Sequence, residues 1–184
     1  MIKSKHYIII YFFFLVMTNK VHADKIFYDN FQNPGDWRYI SDDVMGGVSK
    51  GSVSYSEQDG KNIALLSGKV STENNGGFIQ IRKKIENNDL KNARYIKIIA
   101  KGNSQKYFIH LRTTGTILPW QYYAHDFKVS ENFQEYILPI EKFKKSGSFL
   151  FTKINPKTIK SIAVVAFGRD HKAEIYIKEI TITD

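Results

Sequence analysis

The sequence has 184 residues, a formal charge of +9 and no cysteine, which excludes disulfides, thiolate metal sites and cysteine nucleophiles. Its positive excess lies in short runs such as Lys83-Lys84 and Lys144-Lys145. Without a basic stripe or an aromatic-basic module these do not point to nucleic acid, and they leave only weak peripheral attraction to anionic membrane surfaces.

The chain opens with Lys3 and Lys5, an unbroken apolar run from Tyr7 to Met17, and Val21-His22-Ala23. A positive start, an apolar centre and small residues at the −3 and −1 positions read as a secretory signal over residues 1–23. Eleven apolar residues fall short of the roughly 20 that a membrane-crossing helix needs, with an uncleaved anchor as the alternative. Removing the segment takes three lysines and no acid, so the formal charge falls to +6. The expectation is an exported bacterial protein, periplasmic or secreted, with a single domain over residues 24–184.

Beyond residue 23, short runs rich in Ile, Val, Tyr and Phe recur between Gly, Asn, Asp and Ser clusters, the pattern of many short strands. Strands are predicted near residues 25–31, 52–56, 62–69, 77–84, 93–100, 107–113, 122–127, 134–140, 161–166 and 174–183. No segment between them is convincingly helical. Tyr107, Ile109 and Leu111 share one face, while Phe108, His110 and Arg112 share the other. In the last run Ile175 and Ile177 have opposite parity to Ile180 and Ile182, so a bulge near Lys178-Glu179 is needed to turn all four inward. Pro139 ends a strand, and Pro119 and Pro156 fall in connections. About ten strands without helices predict an all-β fold of two packed antiparallel sheets, a β-sandwich or jelly roll.

Two loops stand out. Trp37 is followed by SDDVMGGVSKG, which contains Asp42, Asp43, Met45, Gly46 and Gly47. Later comes GKVSTENNGGFIQIR, which contains Glu73, Asn74, Asn75, Gly76, Gly77, Phe78 and Arg82. Paired glycines after polar residues imply tight turns or close backbone approach, which Asp and Asn side chains can close.

These two strings resemble the complex I intermediate-associated protein 30 family, as do WQYYAHDF and FQEYILPIEKF and the terminal IYIKEITI, in matching order and spacing. The resemblance implies a galactose-binding-like jelly-roll β-sandwich. It also implies relatives whose mitochondrial members act as assembly chaperones for respiratory complex I. One departure is visible: where the family usually has Arg-Gly after IEKF, this chain has Lys145-Ser146-Gly147.

No catalytic constellation is legible. His110, His125 and His171 have no partner at metal-ligand spacing. Ser41, Ser49 and Ser71 lack a nucleophile elbow, and no phosphate-binding glycine loop occurs. Asp42-Asp43 reads as a turn cap or, through ligand type alone, as part of a calcium site. The metal therefore stays open, and no cofactor is implied.

Glu73, Asn74, Asn75, Arg82, Arg112, Trp120, Gln121, Tyr122 and Tyr123 combine aromatic rings with amide and guanidinium donors, as saccharide-binding surfaces do. Trp37 and Phe78 read as core, with Met45, Gly46, Gly47, Gly76 and Gly77 as loop structure. The expected function is a non-enzymatic exported binding domain that engages a protein partner as an assembly or chaperone-like factor, or alternatively a carbohydrate-binding module. The candidate ligand contacts are Asp42, Asp43, Glu73, Asn74, Asn75, Arg82, Arg112, Trp120 and Tyr123.

Overall fold

The computed structural model describes residues 24–86 and 89–184, and the signal read at residues 1–23 lies outside them. The strands are β1 (Lys25–Asp29), β2 (Trp37–Ser41), β3 (Lys50–Gln58), β4 (Lys61–Val70), β5 (Phe78–Lys84), β6 (Tyr95–Gly102), β7 (Lys106–Thr113), β8 (Tyr123–Lys128), β9 (Gln134–Pro139), β10 (Lys144–Lys145), β11 (Ile159–Phe167) and β12 (His171–Thr183). Among the described residues the only helical turns are short 3₁₀ segments.

Among the described residues all pairings are antiparallel and form two sheets. The first runs β3-β4-β12-β6-β9, with β1 also paired to β12; the second runs β10-β8-β7-β11-β5-β2. The sheets enclose a core because each strand alternates. Leu66, Ile98, Ile175 and Ile180 face inward from the first sheet, and Ile79, Ile81, Ile109, Leu111 and Val164 from the second, all fully buried.

Strand β12 keeps both halves of its isoleucine pattern inward through a register shift between Ile177 and Glu179, at the bulge its parity requires. Ile177 pairs with Ala100 and Ile180 with Ile98, and all four isoleucines are buried. Strand β9 ends at Pro139.

Two strands go beyond the sequence expectation. Strand β2 is an edge strand pairing only with β5, and its apolar pattern is cut short where it runs into the Asp42-Asp43 turn. Strand β10 has two residues and no pattern of its own. The first strand is shorter than expected: Phe31 leaves it with φ 60° and packs its ring 4.9 Å from that of Trp37.

Candidate functional site

The two glycine loops meet around one carboxylate. Asp42 is fully buried and accepts hydrogen bonds from the Ser49 N–H (3.0 Å), the Ser49 hydroxyl (2.5 Å), the Gly77 N–H (2.5 Å) and the Phe78 N–H (3.2 Å). Burial alone would raise its pKa. The bonds from Gly77, the Ser49 hydroxyl, Phe78 and the Ser49 N–H outweigh that and hold it below the ordinary value.

A Cβ on Gly47 would lie 2.3 Å from the Asp42 Cγ, and one on Gly76 would lie 2.5 Å from its Oδ2. Gly46 turns the chain in the left-handed region at φ 87°. Asp42 therefore joins the loops and faces no ligand, because donors already occupy its oxygens.

Asp43 is exposed and accepts from the Ser41 hydroxyl at 2.6 Å, so the two acids diverge. Among the described residues no three His, Cys, Asp or Glu side chains converge as a metal would require. A calcium site on Asp42 is at odds with the hydrogen bonds it accepts. Glu73, Asn74 and Asn75 form an exposed turn, with Asn74 and Asn75 at positive φ, and Met45 is also exposed.

A different surface brings aromatic and cationic side chains together: the outer face of the second sheet. Its register places Arg38, Arg82, Ala163, His110, Ala124 and Lys144 in one row across six strands. The next row is Ile40, Gln80, Val165, Phe108 and Asp126. Ala163 and Val165 are buried among their larger neighbours. The Tyr122 ring lies over His110, with centroids 3.9 Å apart and planes 8° apart. Phe167 meets His110 and Tyr122 edge-on, and Phe108 meets Phe167 at 87°.

His110 is buried beneath this cluster. Desolvation, with a smaller contribution from the positive charge of Arg82, pushes its pKa down to about 3. Its Nε2 has no hydrogen-bond partner among the described residues. The ring is neutral at physiological pH, so it backs Tyr122 as an aromatic neighbour and not as a cation.

The guanidinium of Arg82 is partly buried and has no hydrogen-bond acceptor among the described residues. Its pKa is lowered first by burial and then by the charges of Arg112 and Arg38. Beside it runs a groove of about 720 Å³ with Lys25, Arg38, Arg82 and Lys84 among its cations and Asp36 and Glu86 as its acids. Arg112 is committed elsewhere: it donates to the carbonyls of Thr116 (2.9 Å), Leu118 (3.0 Å) and Pro119 (3.2 Å), folding the loop that delivers Tyr122.

Two expected positions change place by a single step of strand parity. Tyr123, expected at a binding surface, points inward beside Phe127 and donates its hydroxyl to the Phe151 carbonyl at 3.0 Å; its neighbour Tyr122 takes the outer face. Phe78, expected in the core, faces outward next to Phe167, because Ile79 and Ile81 take the inward positions of β5. Trp37 is core as expected, with its indole N–H donating to Asp29 at 3.1 Å. Trp120 lies exposed in the loop before β8.

The model of the family described as Complex I intermediate-associated protein 30 matches residues 26–176. The chain belongs to this family. No curated protein matches it. Among solved structures it is similar to the family 11 carbohydrate-binding module of a cellulosomal cellulase of Clostridium thermocellum, with TM-score 0.70 and 13% identity, covering 89% of this chain and 95% of that one. The same organism's module in complex with a β-1,3-1,4-mixed-linked tetrasaccharide gives TM-score 0.69 and 14% identity, covering 86% and 94%. An exo-β-agarase structure gives TM-score 0.56 and 10% identity, covering 88% of this chain and 25% of that one. At these identities the likeness establishes the fold: a jelly-roll β-sandwich of the kind the family resemblance implies.

Proposed function

We infer that this protein is an exported, non-catalytic binding domain that holds a saccharide carrying acidic groups on the outer face of its second sheet. The observation that carries the reading is the Tyr122–His110 stack, flanked by Phe108 and Phe167, in register with Arg82 and Arg38. A sugar ring lies against such an aromatic surface through its C–H face. A guanidinium without an acceptor among the described residues takes a carboxylate or sulfate in forked hydrogen bonds. The ligand-bound module among the structural neighbours lends support through its fold.

Titration against uronate-containing or sulfated polysaccharides and neutral glucans tests this. Acidic ligands should bind more tightly, with Tyr122→Ala and Arg82→Gln each weakening binding by about tenfold. Equal binding by both variants, or no saccharide binding, would remove the reading. Protein recovered from outside the cytoplasm should begin at Asp24, and recovery only as a chain starting at Met1 would refute cleavage.

A protein partner on the same face is the second reading, favoured by membership of a family named for association with a complex I intermediate. Crosslinked capture from envelope fractions that is lost in Arg82→Gln would support it over the saccharide.

A further inference from the structure

Two loops beside the β8–β10 edge of the second sheet turn large apolar side chains into solvent while their backbones are fixed. In the first, residues 114–122, Ile117 is 83% exposed and Trp120 61%; in the second, residues 146–153, Phe149 is 95% exposed and Phe151 84%. These values exceed what incidental surface residues need, and the four side chains lie on loops bonded to each other. The Ser146 N–H donates to the Tyr122 carbonyl (2.9 Å), the Tyr122 N–H to the Ser146 hydroxyl (3.0 Å), and that hydroxyl to the Trp120 carbonyl (3.2 Å).

Arg112 fixes the first loop from within through three carbonyls. Lys145 fixes the second by donating to the carbonyls of Ser148 (3.3 Å) and Leu150 (2.9 Å). Buried Thr116, Gln121 and Leu150 root the pair. The exposed apolar groups are held outward by ordered backbone, and many of the loops' own polar groups are already paired.

The charge within the two loop segments has one sign, with Glu141 just outside them beside Lys142 and in the same groove as Lys153. Residues 142–153 contain Lys142, Lys144, Lys145 and Lys153 and no acid, and residues 114–122 carry no charge. Exposed Trp and Phe on loops whose own charges are all lysine are the composition that settles at a lipid–water boundary, where apolar rings enter below the headgroups and lysines meet their phosphates. A protein interface of comparable size uses directional hydrogen bonds, and here the loop carbonyls that could supply them are largely taken. We propose that this loop pair docks the domain on an anionic lipid bilayer, with Trp120, Phe149 and Phe151 inserted and Lys142, Lys144 and Lys153 against the headgroups.

Every strand among the described residues lies between Lys25 and Thr183, so the chain starting at Asp24 carries the whole sandwich and can be tested without the apolar segment at residues 7–17. Vesicles of phosphatidylglycerol with phosphatidylethanolamine should retain it on sedimentation and shift the Trp120 emission to shorter wavelength, with the buried Trp37 unchanged. Phosphatidylcholine vesicles should retain at least about tenfold less. The double change Phe149→Ser with Phe151→Ser should cut partitioning by at least about tenfold while leaving Tm unchanged, since both side chains are solvent-facing. Lys142→Gln, Lys144→Gln and Lys153→Gln together should remove most of the salt dependence. Equal retention by phosphatidylcholine would overturn the electrostatic part, and undiminished binding by the Phe variant would overturn insertion. Failure to bind any vesicle would overturn the proposal and leave the patch as a protein-docking surface.

Discussion

Replacing Asp42 by Ala removes an acceptor from four donors at once: three backbone N–H groups and the Ser49 hydroxyl. The hydroxyl keeps a second contact, the Ser71 carbonyl at 3.2 Å, and so loses least. The N–H groups of Ser49 and Gly77 are buried and have no alternative in place, while that of Phe78 is partly accessible. At roughly 1–3 kcal/mol for each buried donor left unpaired, the loss is on the order of 4 kcal/mol. For about 161 residues at ~2.1 cal/mol/K each, that lowers Tm by about 12 °C.

Calorimetry and urea titration of the chain starting at Asp24 measure it. Gly76→Ala adds a second reading, because its Cβ would collide with the Asp42 carboxylate at 2.5 Å but would keep a neighbour at the Gly47 Cα, 3.0 Å away. It should cost at least about 1 kcal/mol less in the Asp42→Ala background than in the wild type. The acid limb should change as well. With its folded pKa depressed, Asp42 contributes fully above the ordinary carboxylate value, and that contribution fades as pH falls through the folded pKa. A Tm loss below about 3 °C, or equal Gly76→Ala costs in both backgrounds, would refute the idea that this carboxylate ties the loops together.

His110 gives a pH prediction of its own. Its folded pKa of about 3 lies below the ordinary 6.5, so the unfolded chain takes up a proton that the folded chain refuses. Stability is full above pH 6.5 and declines toward pH 3, by about 2 kcal/mol at pH 5, and His110→Gln should flatten that slope in chemical denaturation. Lys83 donates to both Asp29 and Asp36, and Asp29 also accepts from Trp37 and the Phe31 N–H. Lys83→Met leaves a buried carboxylate without its cation and should destabilise by about 3 kcal/mol, with a change in Trp37 fluorescence; a loss under 1 kcal/mol would count against this pairing. Arg112→Met should free the 116–119 carbonyls, speeding hydrogen exchange and proteolysis across residues 114–122 while moving Tm by only about 3 °C, and unchanged exchange would show that the loop holds itself.

Strand positions were legible because each apolar run alternates on a period of two, and the β12 bulge was legible because its isoleucines change parity. Phase was less legible. Tyr122 and Tyr123 are adjacent and chemically alike, and only the start of β8 decides which one faces out. Phe78 has the same ambiguity at the start of β5, as do Asp42 and Asp43 at their turn. Phe108, His110 and Arg112 declare a shared face locally. Their meeting with Arg82, Arg38, Gln80 and Phe167 depends on strand pairings between residues far apart in the chain, for which no short pattern exists. Arg82 and Arg112 were singled out by residue type, but the lack of an acceptor for one guanidinium among the described residues and the full commitment of the other depend on tertiary contacts.

Two of the acids are buried inside the fold. Asp42 and Asp29 are buried, and both are occupied in holding loops, one through N–H donors and a hydroxyl, the other through an indole, an N–H and Lys83. Asp170 is likewise engaged, accepting from the Thr72 N–H and hydroxyl. Asp42 and Asp29 are therefore absent from the solvent-facing surfaces that carry Arg38, Arg82 and the lysines of residues 142–153. The motif strings that mark the family are largely the loops these carboxylates tie, so the residues that identify the chain chiefly build its scaffold. The residues that would recognise a ligand or a membrane lie on sheet-face and loop positions, where substitution leaves the scaffold intact. Exchanging Arg82 and Tyr122 should therefore change what the domain binds at little cost in Tm, whereas exchanging Asp42 should change Tm first.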